Sequence, residues 1–173
     1  INGETLALNK QRNGKVIAKH NRLHVNSIAE FAKKLPGAVI YQDVFNIIDG
    51  GPSVRRQLLD WGLFHVEQSY FSLWKCYRKT LLQRNVALKQ KKNAFIWDNQ
   101  LCNYGYKLHL LRNDFLYKLK PLFIEYHQHL GNLKVDIDYK SGWMKPEIAS
   151  VETLLKSLFE CRSRDLQLGF SHR

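Results

Sequence analysis

Over its first 25 residues the chain alternates short apolar and polar runs broken by turn-forming pairs. This predicts antiparallel strands over residues 4–9, 15–20 and 23–25, turning at Asn13-Gly14 and Asn21-Arg22. Ser27 followed by Glu30 has the spacing of a capping box, so a short helix starts there. Pro36-Gly37 ends that helix before an apolar strand over residues 38–41. Gly50-Gly51-Pro52-Ser53 is a turn and helix start, because proline in the first helical position gives up an amide that would have no partner. Val54, Leu58, Leu59 and Trp61 carry this helix towards Gln68.

The period then becomes a sustained helical one. Tyr70, Trp74, Tyr77, Leu81 and Leu88 share one stripe, and Leu101, Tyr104, Leu108, Leu111, Phe115, Leu122 and Tyr126 share another. Two long helices, residues 68–93 and 97–130, are expected to pack as an antiparallel hairpin connected at residues 93–97. Pro121 should kink the second helix because it has no amide to donate, and Gly131-Asn132 should end it. Beyond, Val135, Ile137 and Tyr139 alternate with Lys134, Asp136 and Asp138, the period of a half-buried strand. A last helix follows from about Ser150 to Arg164, and residues 166–172 look like a further strand. The expected fold is α+β and mostly helical, a helical arm inserted into an α/β domain.

Size and composition bound this picture. A chain of 173 residues can bury the core of one domain. It contains no apolar run near eighteen residues, which excludes a membrane-spanning helix. No leader or initiator Met opens it, and a strand already under way at Ile1 suggests that residues precede it. Cys76, Cys102 and Cys161 are far apart and form no paired motif, which fits a reducing cytoplasm. His127 and His129, two apart on a helix, point to different faces and are read as surface histidines.

Charge changes the picture most. Lys and Arg number 27 against 15 Asp and Glu, a net charge of +12, so a polyanionic partner is the natural inference. Between residues 68 and 97 lie Lys75, Arg78, Lys79, Arg84, Lys89, Lys91 and Lys92 and no acidic residue; Arg112, Lys118 and Lys120 could extend that patch from the second helix. If these side chains meet phosphates, binding is sequence-independent and falls with salt, each contact adding about 0.9 to the logarithmic slope. The alternative is a solvated helix face, or an amphipathic hairpin that docks a protein without touching DNA. Trp74 and Tyr77 lie on the apolar stripe and are read as core rather than as base-stacking platforms. Asp43, Asp49, Asp60, Asp136 and Asp138 make no nuclease motif. Arg55 and Arg56 oppose the dipole of the helix they open, so an anion or carboxylate is expected near them, and Asp60 can pair with Arg56 one turn on.

Three stretches carry a family resemblance. Gly50-Gly51-Pro52-Ser53-Val54-Arg55-Arg56-Gln57-Leu58-Leu59-Asp60 resembles the Gly-Pro-x-x-Arg-Arg-x-x-Leu-Asp segment of the bacterial RecF family. Leu82-Gln83-Arg84-Asn85-Val86-Ala87-Leu88 is similar to that family's Lys-Gln-Arg-Asn-x-Ala-Leu helix. Arg164-Asp165-Leu166-Gln167-Leu168-Gly169-Phe170 resembles the stretch preceding its Gly-Pro-His motif. The resemblance implies an SMC-like ABC ATPase that dimerises with ATP and Mg²⁺, binds duplex and gapped DNA, and helps RecO and RecR load RecA. It also implies that residues 1–52 are a β-lobe and glutamine-loop part of the ATPase head, residues 53–165 the arm, and residues 166–173 a return strand into the head.

The chain departs from that family's complete pattern in three respects: it has no G-x-x-x-x-G-K-[ST] loop, no signature motif and no apolar run ending in paired acids. It is therefore expected not to hydrolyse ATP alone, although its parent would be a weak ATPase. Those motifs are expected before Ile1 and after Arg173. Gln42, after the strand at residues 38–41, occupies the place of the glutamine loop in SMC-like heads and could ligate Mg²⁺ or orient water; an ordinary polar residue at a strand end is the equal alternative. In the full-length protein Gln42→Ala is expected to lower ATP turnover without unfolding, and unchanged turnover at saturating ATP would remove the residue from the site.

Overall fold

The computed structural model describes residues 3–25, 27–34, 45–131, 134–143 and 150–171. They fall into two compact units, Ile1–His65 and Val66–Arg173. The expected strand at residues 38–41 and Gln42 lie outside the described residues.

The first unit opens with a three-stranded antiparallel sheet, β1 (Leu6–Lys10), β2 (Val16–His20) and β3 (Leu23–His24), in that order. β1 pairs with β2 from Leu6 opposite His20 to Lys10 opposite Val16, and Ala18 is the buried residue of the face. Asn21 and Arg22 both have positive φ, 49° and 69°, which is the two-residue turn whose twist matches that of the strands it joins. The Asn21 amide donates to the Thr5 carbonyl and its side-chain oxygen accepts from the Thr5 amide, both at 2.8 Å, so one turn residue also clamps the start of β1. Helix α1 (Ile28–Lys34) follows, with the Ser27 hydroxyl accepting from the Ala29 amide at its start.

A one-turn helix, α2 (Asn46–Asp49), leads through Gly50 into α3 (Pro52–Val66). Gly50 is required there, because a Cβ would lie 2.2 Å from the Asn46 carbonyl oxygen. Arg55 donates from Nη1 to the Gly50 carbonyl at 2.7 Å and to that of Ile48 at 3.4 Å. Among the described residues, what lies beside this arginine is the neutral carbonyl end of α2 rather than the expected anion or carboxylate. Lys33 of α1 lies 5.8 Å from the Phe64 ring centroid, which joins α3 to α1.

In the second unit α4 (Tyr70–Lys89) and α5 (Asp98–Leu130) form the expected hairpin. α4 ends in a left-handed residue, Lys91 with φ 53°, and the Lys92 amide reaches the Ala87 carbonyl at 2.9 Å while that of Lys91 reaches Leu88 at 3.0 Å. These two bonds satisfy carbonyls that the helix end would leave free. A 3₁₀ turn, Phe95–Trp97, then feeds α5. Gly105 lets the hairpin close up: a Cβ there would stand 3.2 Å from the Trp143 ring and 3.4 Å from that of Tyr77. Pro121 lies inside α5, and the helix continues through it to Leu130.

Three expectations are corrected after α5. Residues 134–143 form no strand. Val135, Ile137 and Tyr139 are half-buried and their neighbours exposed, as the alternation requires, but the segment packs on α5 instead of on another strand. Lys120 of α5 donates to Asp136 at 2.8 Å, and the Tyr139 and His109 rings are 5.4 Å apart. The helix expected from Ser150 to Arg164 is two helices, α6 (Val151–Glu160) and α7 (Arg162–Leu168), meeting at Cys161. Residues 166–168 finish α7 and are not a return strand. Leu166, Leu168 and Phe170 are all exposed. The buried pair is Cys161 and Asp165, one helical turn apart, and Gly169 with φ 71° ends the helix.

Asp165 is buried because Arg84 is. Arg84, with no exposed surface, donates from Nε to Asp98 at 2.8 Å and from Nη1 to Asp165 and to the Ser171 hydroxyl, each at 2.7 Å. Ser171 in turn donates its amide and hydroxyl to the side-chain oxygen of Asn85. Burial alone would lower the Arg84 pKa, but the hydrogen bonds to Asp98 and Asp165 outweigh it and raise the pKa above its ordinary value. Arg84 was expected at a DNA surface and is instead the polar centre of the core. Its removal strands Asp165 without a counter-charge, so Arg84→Ala is expected to destabilise by about 3–5 kcal/mol. Urea unfolding of the variant checks this, and an unchanged midpoint would mean that the cluster contributes little.

Candidate nucleic-acid interface

The phase of α4 decides which basic side chains reach solvent. Tyr70, Tyr77, Thr80, Arg84 and Leu88 are buried along one side, whereas Lys75, Arg78, Lys79 and Lys89 are exposed. Lys91 and Lys92, in the turn that caps α4, are exposed as well. Lys75 lies 5.4 Å from the Phe71 ring centroid and Arg78 5.6 Å from that of Trp74. Phe71 and Trp74 are themselves near parallel, 6.3 Å apart with 11° between their planes. The aromatics are half-buried and serve as backing for cations, which steadies the charged heads at the surface.

The expected extension onto α5 has a different character. Arg112 is half-buried and donates from Nε to the Tyr70 hydroxyl at 3.1 Å, joining the two helices. Lys118 donates to Asp114 at 2.7 Å, and Lys120 lies 2.6 Å from Asp136 and 3.6 Å from Asp138. The hydrogen bond to Asp136 raises the Lys120 pKa and holds that of Asp136 down. These cations meet the chain's own carboxylates. By contrast, among the described residues none of Lys75, Lys79, Lys89, Lys91 and Lys92 makes an ion pair. The positive field is therefore concentrated on α4 and its cap, and it excludes Arg84.

The remaining candidates are not gathered into this surface. Arg55 is engaged with the end of α2, Arg56 is exposed, and Asp60 is half-buried on α3. Among the described residues no group of three or more His, Cys, Asp or Glu is arranged to hold a metal. His129 Nδ1 is 3.0 Å from the Glu125 carbonyl oxygen of its own helix. Sequence reasoning missed the partners of Arg84, since Asp98, Asp165 and Ser171 are 14, 81 and 87 residues away. One signal was present: Arg84 falls a turn from both Thr80 and Leu88, inside the buried stripe.

No family model matches the chain. Curated relatives described as "DNA replication and repair protein RecF" match it almost throughout. The protein of Marinomonas sp. (strain MWYL1) is 29% identical over 172 residues, covering 96% of this chain and 45% of the relative. That of Haemophilus influenzae (strain 86-028NP) is 34% identical over 171 residues, covering 96% and 47%. The chain is RecF-like. It spans somewhat under half the length of the curated relatives it matches. The solved structure described as "the recombination mediator protein RecF-ATP in RecFOR pathway" superposes with a TM-score of 0.86 at 26% identity, over 98% of this chain and 48% of that one. The corresponding RecF-ATPrS structure gives 0.82 at 24% identity. The mostly helical α+β arrangement is thus that of RecF structures, with part of the ATPase head.

The same helices sort the thiols. Cys76 is exposed on α4, whereas Cys102 and Cys161 are buried. Burial, aided by Asp98, pushes the Cys102 thiol up to about 12, and burial likewise raises that of Cys161, with Asp165 adding to it. Near pH 8 a thiol reagent is expected to modify Cys76 alone in the folded chain and all three cysteines once it is unfolded, since only a reachable thiolate reacts. Counting modified thiols by mass spectrometry checks this; rapid native labelling of Cys102 would contradict the closed core.

Proposed function

We propose that this RecF-like chain is the DNA-facing arm of a bacterial recombination mediator, which binds duplex DNA at single-strand gaps and helps RecO and RecR load RecA in the cytoplasm. The observation that carries the DNA contact is the run of exposed cations on α4 and its cap that make no ion pair among the described residues, Lys75, Lys79, Lys89, Lys91 and Lys92, with Arg78 beside them. Phosphate oxygens would supply the missing negative charge, and the contact needs no particular base sequence. The names of the relatives, concerned with DNA replication and repair, agree with this reading. ATP and Mg²⁺ belong to the ATPase head of the intact protein, with Gln42 as this chain's contribution. They would govern dimerisation and support weak turnover.

The test is titration of the intact protein against labelled gapped duplex at several salt concentrations, beside a variant carrying Lys75→Glu, Arg78→Glu and Lys79→Glu. Arg84 is left alone so that folding is not disturbed. The variant is expected to bind more weakly and to lose roughly 2–3 from the logarithmic salt slope, about 0.9 for each phosphate contact removed. Unchanged affinity and slope in a folded variant would move the DNA off α4.

A further inference from the structure

We propose that the exposed face of α4 also seats an acidic amphipathic helix of a protein partner, and that this helix and DNA compete for it; the competition rests on the DNA reading of the same face. The observation behind it is that Leu82 and Val86 lie in the middle of the cations, 58% and 51% exposed. Single exposed aliphatic residues are common and need no explanation. These two are one helical turn apart, so their side chains are neighbours. They continue a row, Lys75, Lys79, Leu82, Val86, Lys89, whose steps of four and three residues keep it on one side of the helix. The row is about 21 Å long at 1.5 Å per residue.

The surroundings of that row limit what can cover it. Residues 68–97 contain no acid, so the face attracts an acidic partner and repels a cationic one. Gly169, whose Cβ would stand 3.4 Å from Lys89 Cγ, and Ser171, bonded to Asn85, bring the exposed Phe170 to the edge of the same region. A duplex backbone uses the lysines and gains nothing from Leu82, Val86 or Phe170. A helix with apolar side chains at steps of three and four, flanked by Glu or Asp, uses both sets. The apolar centre and charged ends have the layout of a protein-binding surface, in which affinity comes from a few desolvated anchors.

The probe is a fluorescein-labelled synthetic helical peptide with leucines at four-residue spacing among glutamates, titrated against the intact protein. Its controls are a scrambled peptide of the same composition and an oligoglutamate of equal charge. The peptide is expected to bind, to be displaced by duplex DNA, and to exceed both controls. Leu82→Ser with Val86→Ser should weaken the peptide at least about tenfold, the scale of losing interface anchors, while DNA affinity stays within about twofold, because phosphates do not use those side chains. Lys75→Glu with Lys79→Glu should weaken both ligands. Equal binding of the controls or retention of the peptide by the serine variant would overturn the peptide seat, and failure of DNA to displace the peptide would overturn the competition. If the lysine variant loses the peptide and keeps DNA, the DNA reading of α4 fails while the peptide seat stands and the competition is withdrawn.

Discussion

The fully buried guanidinium of Arg84 organises the second unit. An arginine loses hydration when it enters a core and is tolerated only if carboxylates and hydrogen-bond acceptors replace the water. Here the replacements come from three other places in the chain: Asp98 at the start of α5, Asp165 in α7, and Ser171 beyond it. The hairpin turn, the second long helix and the segment after the last helix are therefore joined at one point. Arg162 adds to the same junction, its guanidinium carbon 3.5 Å from the Phe95 ring centroid, which ties α7 to the 3₁₀ turn of the hairpin. Apolar packing by Leu88, Leu101, Leu108, Leu154 and Leu158 gives the unit cohesion, and the polar cluster specifies how its pieces meet.

With Arg84 turned inward, α4 is divided into a buried side and a cationic side. The division matters functionally because, among the described residues, the lysines of the cationic side make no ion pair. α5 shows what neutralisation looks like: Lys118 pairs with Asp114 of its own helix, and Lys120 pairs with Asp136 and tethers the segment after α5. Basic residues of equal sequence prominence thus have three fates in one unit. Arg84 supports the core, Lys118 and Lys120 serve local tethers, and the lysines of α4 remain available to an external anion. An overall charge of +12 does not distinguish among these.

Much of the local structure was legible because it rests on short-range chemistry. The Asn21-Arg22 turn, the proline-led start of α3 and the long period of the hairpin helices all appeared where residue type and spacing placed them. The errors occurred where a period was present without the expected partner. Val135, Ile137 and Tyr139 have the alternation of a strand and pack on a helix; residues 166–168, read as the start of a strand, finish α7, whose buried side is set by Cys161 and Asp165. Periodicity reports which residues share a side, and it does not report what lies opposite.

The sequence by itself determined the hairpin, the three small strands, the concentration of positive charge between residues 68 and 97, and the likeness to RecF. Those depend on residue order over a few turns of chain, where propensity, capping and charge act directly. Only the tertiary structure decided which cations face water and which face carboxylates. Arg84 and Lys79 are five residues apart on one helix, and each carries a full positive charge. What separates them is that Asp98 and Asp165, distant in sequence, converge on the side of the helix where Arg84 lies. A charge buried against two carboxylates holds the core together, and the same kind of charge facing solvent with no carboxylate is left to seek one elsewhere.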